Sequence, residues 1–325
     1  MSILVEKYRP QTFKEVVGQN DAVKILSKYV EAYQKGSTTM PHFLFYGPSG
    51  IGKTTMAKIM VKEMFGSSNY WLDLNASDDR GIKIVRERIK GFAKLAPPDG
   101  QQFKIIFLDE CDMMTNDAQF AMRRIMEDYS DTCRFILSCN YVTKMKDAIR
   151  SRCVEVPFKP IKWDDMVGML DRIAKEENMN YAKSGLSALA VYSEGDLRKA
   201  IGILQKINVV EDILDEQSVV LHSGFVPRAY VRKLIALAKS KEETINKMNE
   251  ADKHVNKIYY ESYPIDKFLN IMIEEIYEDN DLKPKTKAKI IARIGTVNYY
   301  IIMAASPLLQ LRSFVVWLIQ EIENA

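Results

Sequence analysis

Short apolar runs alternate with amphipathic stretches through the first half of the chain. His42 to Tyr46 is one such run; it stops at Gly47, and Thr54 to Phe65 then carries apolar residues at helical spacing. Trp71 to Leu74, Phe103 to Leu108, Arg134 to Cys139 and Val154 to Phe158 are further runs, too uniformly apolar for strands with one wet face. Buried strands separated by helices predict a parallel sheet covered on its faces. Near Lys159-Pro160 the pattern changes. Beyond it Asp164 to Lys175, Tyr181 to Tyr192, Leu197 to Ile207, Arg228 to Ser240, Lys241 to His254, Pro264 to Tyr277 and Lys285 to Ala304 read as helices, with little strand signal. Pro227 and Leu221-His-Ser-Gly-Phe225 mark a second boundary. The expected organisation is an α/β domain with a parallel sheet over 1–160, a small helical domain over 161–225 and a larger helical domain over 226–325.

Composition narrows this picture only slightly. With 46 Lys and Arg against 43 Asp and Glu, the net charge of +3 neither announces nor excludes nucleic acid, because a basic face can be balanced by an acidic one. Charged residues interrupt every long apolar stretch, and the first residues lack a basic segment leading into an apolar core. No membrane association and an intracellular location are therefore expected. Cys111, Cys133, Cys139 and Cys153 form no Cys-x-x-Cys pair, and His42, His222 and His254 are scattered. That spacing fits reduced, buried thiols better than a zinc site.

Two segments carry chemistry. Gly47-Pro-Ser-Gly-Ile-Gly-Lys-Thr54 has the spacing Gly-x4-Gly-Lys-Ser/Thr of a phosphate-binding loop and lies between a buried strand and a helix start. Its glycines let backbone N–H groups curl around a polyphosphate at the positive helix end; Lys53 is expected to neutralise the β- and γ-phosphates and Thr54 to ligate Mg²⁺. Lys104 to Glu110 is an apolar strand that delivers two carboxylates at its end. Asp109 is placed to hold Mg²⁺ through its water shell, and Glu110 to orient and deprotonate a water attacking the γ-phosphate of ATP. This pairing favours hydrolysis over transfer to a substrate hydroxyl. Phe135 to Asn140 is another apolar run ending in an amide, which either holds the attacking water or touches the γ-phosphate, or caps a turn.

These segments occur together with Glu6-Lys-Tyr-Arg-Pro10, Val16-Val-Gly-Gln19, Leu74-Asn-Ala-Ser-Asp-Asp-Arg-Gly81, Asp109-Glu-Cys-Asp112, Asp117 to Glu127, Ser151-Arg-Cys153 and Gly195-Asp-Leu-Arg-Lys199. With this set the chain resembles, over nearly its whole length, the AAA+ ATPases that form the small subunits of the replication factor C clamp loaders of archaea and eukaryotes. The resemblance implies an AAA+ core, a helical lid and an oligomerising helical collar for the three segments. It implies an adenine pocket of Tyr8, Arg9, Pro10, Val16, Val17 and Gly18, with Gly47, Pro48, Ser49, Gly50, Ile51, Gly52, Lys53, Thr54 and Thr55 around the phosphates. Asn140 takes the sensor 1 position and Arg198 the sensor 2 position. Arg152 resembles the arginine finger that acts in trans on ATP bound to a neighbouring subunit, and Gln119 and Arg123 match positions coupling the acidic box to DNA-facing helices. The chain departs from the pattern at Ser49 and Ile51, and Arg150 stands where a Gln usually precedes Ser-Arg-Cys, as a second candidate for reaching the neighbour. The implied partners are other clamp-loader subunits, a larger one among them, in a hetero-pentamer, together with a PCNA-like sliding clamp and primer-template DNA. The implied location is cytoplasmic in an archaeon and nuclear in a eukaryote.

Stepping 100° per residue from Gly81 to Ala96 puts Lys83, Arg86, Lys90 and Lys94 on one stripe, interrupted by Glu87, with Val85, Ile89 and Phe92 opposite. A basic stripe is by itself a solvated face as readily as a DNA contact. The resemblance assigns Arg80, Lys83, Arg86 and Lys90 to the DNA backbone, a contact that carries no base sequence. Two other functions fit parts of the pattern: a related AAA+ motor such as a branch-migration helicase, and a non-hydrolysing assembly subunit. Ser151-Arg-Cys153 and the helical final third oppose the first. Intact Lys53, Asp109, Glu110 and Asn140 oppose the second.

Overall fold

In the computed structural model the apolar runs of the first half pair, all in parallel, into one five-stranded sheet. The strands are β1 (His42–Tyr46), β2 (Trp71–Asn75), β3 (Lys104–Asp109), β4 (Cys133–Cys139) and β5 (Cys153–Pro157), in the order β2-β3-β4-β1-β5. The structure describes residues 3–36, 40–66, 71–76, 82–95, 97, 102–223, 228–260 and 263–324, without the side chains of 82–86. Its contacts divide the chain into two compact units, Met1–Asp215 and Glu216–Ala325.

In the first unit α1 (Leu4–Lys7), α2 (Asn20–Gln34), α3 (Lys53–Phe65), α4 (Ile82–Lys94), α5 (Asn116–Asp128) and α6 (Asp147–Arg150) accompany the sheet. Because successive side chains of a strand point to opposite faces, each central strand feeds two cores. Phe43, Phe45, Ile105, Phe107 and Ile136 pack with Leu26 and Val30 of α2 and Met56 and Met60 of α3. Leu44, Ile106, Leu108, Phe135 and Leu137 pack with Ile89 and Ala93 of α4 and Met122 and Ile125 of α5. Double coverage is why these strands are apolar throughout rather than alternating. Each fully buried Phe or Leu here contributes on the order of 2–3 kcal/mol relative to exposure. At the register of Leu44, its neighbours are Leu137 of β4 and Glu155 of β5.

Three further helices complete this unit: α7 (Trp163–Glu176), α8 (Lys183–Tyr192) and α9 (Leu197–Val210). They share buried Met166, Leu170, Ile173, Leu189, Ile201 and Leu204. The helix predicted from Tyr181 begins two residues later, at Lys183, because Tyr181 is used in a bridge to Leu214. The second unit contains α10 (Glu216–Ser223), α11 (Arg228–Lys239), α12 (Thr244–Tyr260), α13 (Ile265–Glu278), α14 (Pro284–Ile302) and α15 (Pro307–Glu323). Its core joins Leu234, Val255, Phe268, Met272, Ile294, Phe314 and Leu318. Lys247, only 2% exposed, reaches Glu323 at 2.8 Å, and Glu275 takes Arg228 at 2.9 Å and Arg232 at 2.8 Å, so ion pairs tie α12 to α15 and α11 to α13. Among the described residues no helix is long and apolar enough to cross a membrane.

Candidate nucleotide site

The carboxyl ends of β1, β3 and β4 lie side by side, and each delivers one part of the site to the same edge of the sheet. β1 runs into the loop 47–52, which needs glycine for two distinct reasons. At Gly47 a Cβ would lie 2.2 Å from the Phe158 carbonyl oxygen; at Gly50, with φ +72°, it would lie 1.8 Å from Oδ1 of Asp196. The loop ends at Gly52, left-handed with φ +101°, which starts α3 at Lys53. Lys53 is 8% exposed, and its Nζ donates to Gly47 O and Pro48 O at 2.6 Å each and to Oδ1 of Asn140 at 2.9 Å. Burial pulls its amine below the usual lysine range, an effect that Asp109 opposes and Arg198 reinforces.

β3 ends at Asp109, whose Oδ2 accepts the Thr54 hydroxyl at 2.6 Å and whose Oδ1 accepts the Glu110 N–H at 3.0 Å. Glu110 itself has φ +55°, a left-handed conformation that costs a non-glycine residue on the order of 1–3 kcal/mol and turns the chain sharply beyond Asp109. β4 ends at Cys139, next to Asn140. Lys53, Thr54, Asp109 and Asn140 are thus drawn together by direct hydrogen bonds, although they come from three separate stretches of sequence.

Beside the loop lies a cleft, open to solvent, lined by Tyr8, Arg9, Pro10, Val16, Val17, Gly50, Ile51, Gly52, Thr55 and Arg198 among others. Gly18 stands behind this wall, where a Cβ would meet Ile161 at 3.0 Å. Four more lining residues, Val5, Ile161, Leu197 and Ile201, were absent from the expected set; the i,i+4 apolar pair Leu197 and Ile201 flanking Arg198 was the available signal. The wall is braced from Glu177, just past the end of α7, and from α9. Tyr8 Oη donates to Glu177 Oε1 at 2.6 Å, Lys7 joins the same oxygen at 2.5 Å, and Leu4 N donates to Gln205 Oε1 at 2.9 Å. Burial, then the Glu177 carboxylate, pushes the Tyr8 phenol well above its usual range. Arg198 enters near the start of α9, whose first turn is capped by Asp196 accepting Lys199 N at 2.8 Å.

Gln119, 2% exposed, donates to Lys144 O at 3.1 Å and accepts Lys146 N at 2.9 Å, fastening the segment between Asn140 and α6. Arg123 pairs within its own helix with Glu127 at 3.2 Å, and the same Glu127 oxygen takes Arg152, whose Nη1 also donates to Ala148 O at 2.6 Å. Arg150 is held by Glu155 at 2.8 Å and Asp147 at 3.5 Å. Lys90 is half-buried on α4; Arg80 and the side chains of Lys83 and Arg86 lie outside the described residues. Lys104 opens an apolar strand, and no local pattern signals that it is buried with its Nζ capping the Phe92 and Leu95 carbonyls at the end of α4.

A parallel sheet with a phosphate loop after β1, an acidic pair after β3 and a polar residue after β4 defines a class of protein. Residues 43–160 match the family model of the ATPase family associated with various cellular activities (AAA), and residues 226–317 match that of the replication factor C C-terminal domain. Over 309 residues the chain is 38% identical to a replication factor C small subunit of Methanococcus maripaludis, covering 94% of this chain and 95% of that one. It is 36% identical to the small subunit of Archaeoglobus fulgidus, with 97% of each covered, and to replication factor C subunit 2 of Oryza sativa, with 94% and 91% covered. The chain belongs to the replication factor C small-subunit family of AAA ATPases. The Thermotoga maritima RuvB Holliday junction branch migration motor is similar in fold alone, with a TM-score of 0.54 at 17% identity over 75% of this chain and 85% of that one.

Proposed function

We propose that the chain is an ATP-hydrolysing subunit of a clamp loader, opening a ring-shaped sliding clamp and placing it on primer-template DNA during replication. The observation that carries this reading is the hydrogen-bonded convergence of Lys53, Thr54, Asp109 and Asn140 at one edge of the sheet. The residues also fit Mg²⁺: the Thr54 hydroxyl and an Asp109 oxygen, 2.6 Å apart, are hard oxygen donors beside the loop that opens α3. Thr54 would hold the ion directly and Asp109 through water. Bound there, Mg²⁺ would supply neutralisation of charge on the β- and γ-phosphates.

The chain's own residues do the rest. The cleft beside Tyr8 and Val17 takes the adenine, and the loop N–H groups at the start of α3 take the phosphates. Lys53 exchanges its carbonyl partners for phosphate oxygens, Asn140 fixes the attacking water, and Glu110 accepts its proton. Arg198 reaches the nucleotide from α9, so closure of the lid reports on what is bound. Arg152 serves the nucleotide of the adjacent subunit, which makes turnover depend on assembly. The division 1–160, 161–225 and 226–325 into core, lid and collar, a hetero-pentamer with one larger subunit, and DNA contact by Arg80, Lys83, Arg86 and Lys90 belong to the same proposal.

Arg152→Ala tests it. ATP affinity, set by this chain's own loop, should stay within about twofold, while turnover by the complex falls on the order of 10³-fold or more, as for other fingers acting in trans. Unchanged turnover in radiometric or coupled assays refutes the finger assignment.

A further inference from the structure

Asp112 takes no part in holding phosphate or water, yet it is 7% exposed and both of its carboxylate oxygens are engaged. After the left-handed turn at Glu110, the 3-10 turn Cys111–Met113 carries Asp112 back against the end of β4. There its two oxygens accept consecutive backbone N–H groups: Asn140 N reaches Oδ1 at 3.3 Å and Tyr141 N reaches Oδ2 at 3.2 Å. These are the first two N–H groups beyond β4, where the sheet no longer supplies partners. A buried carboxylate is costly to place, and charge-assisted bonds to both oxygens are what hold it there. The amide of Asn140 in turn presents Oδ1 to Lys53 Nζ at 2.9 Å.

We infer that Asp112 is a positioning residue for ATP hydrolysis, which acts through the backbone of Asn140 and Tyr141 to hold the Asn140 amide at its reacting height beside Lys53. This rests on the reading of Asn140 as a residue of the hydrolytic site. The third carboxylate of Asp109-Glu-Cys-Asp112 then has a task separate from the other two: it sets the sensor, whereas Asp109 and Glu110 face the phosphates and water. The same short segment fixes both halves of the site, so a displacement of β3 relative to β4 is felt by both.

The test is Asp112→Asn, Asn140→Ala and the double variant, assayed in the assembled complex for kcat and KM and by thermal melting. An asparagine at 112 keeps the shape but turns an NH₂ toward one of the two N–H donors, which loses its acceptor. Displacing a reacting group by about 1 Å costs on the order of 10²-fold, so kcat is expected to fall about 10- to 100-fold with KM for ATP within about twofold. The double variant is expected to turn over no more slowly than Asn140→Ala alone, because both changes remove one function. Additive losses, or a KM effect without a kcat effect, overturn the inference and leave Asp112 a fold residue. Normal kcat for Asn140→Ala overturns the sensor reading itself, and the inference with it. Should Asp112→Asn melt too early to assay, Asp112→Ser retains one acceptor and goes through the same cycle, with the same outcomes deciding.

Discussion

Arg152 rests on a carboxylate that it shares: the Glu127 oxygen it touches also accepts Arg123, and both arginines hold that carboxyl below the usual range, Arg123 foremost. Exposed pairs of this kind are worth about 0–1 kcal/mol. In its proposed role as a finger, Arg152 has only this weak partner to leave, so the pair with Glu127 holds it in cis without trapping it. His42 is a residue of the opposite kind. Burial, reinforced by Arg134, lowers its pKa to about 4, and its Nδ1 accepts the Phe135 N–H at 3.1 Å, which only the unprotonated nitrogen can do. Between about pH 6.5 and 4 the unfolded chain therefore binds the proton that the folded chain refuses, and stability falls as pH falls through that window. The loss is on the order of 3 kcal/mol. His42→Asn keeps an acceptor without the titration, and its melting temperature is expected to depend less on pH across this window than that of the wild type. Parallel curves for the two proteins contradict the assignment.

Among the elements, α4 is the one proposed to contact DNA. Ile89 and Ala93 are fully buried against the sheet and Lys104 ties down the carbonyl end, so the stripe containing Lys83, Arg86 and Lys90 belongs to a helix fixed at its base. Lys83→Glu with Arg86→Glu is expected to weaken primer-template binding by the complex and to flatten log affinity against log salt by about 0.9 for each phosphate no longer neutralised. An unchanged salt slope returns the stripe to a solvated face. The elements also show what a sequence reveals and what it hides. The strands were legible because both faces of β1, β3 and β4 are buried, which leaves runs such as Phe43-Leu-Phe45 without polar interruption. α15 was not, because Leu309, Val316 and Trp317 place apolar side chains opposite the stripe of Leu311, Phe314, Val315, Leu318 and Ile319 and leave no clean polar face. α2 also stood outside the predicted set. At the site, the phosphate loop and the acidic pair are contiguous and could be read directly. Glu177 under Tyr8, Asp196 against Gly50 and Asp112 under Asn140 depend on approaches between residues far apart in the chain, which no local pattern encodes.

At the scale of the molecule, the first unit contains every residue proposed to touch nucleotide, and the second is a helical body joined by a buried apolar core and by ion pairs. The family models divide the same way, AAA over 43–160 and the replication factor C C-terminal domain over 226–317. The net charge of +3 conceals local contrasts within the first unit, since the acidic residues at the end of β3 and the basic residues of α4 cancel in the sum. If Arg152 works on a neighbour's nucleotide and the α4 stripe follows DNA inside an assembly, as proposed, the complex rather than the single chain is the unit of function. The most direct test of that claim is steady-state ATP turnover by the assembled complex, measured alone, with sliding clamp, with primer-template DNA and with both. Turnover is expected to rise most with clamp and primed DNA together; turnover indifferent to both would contradict the account.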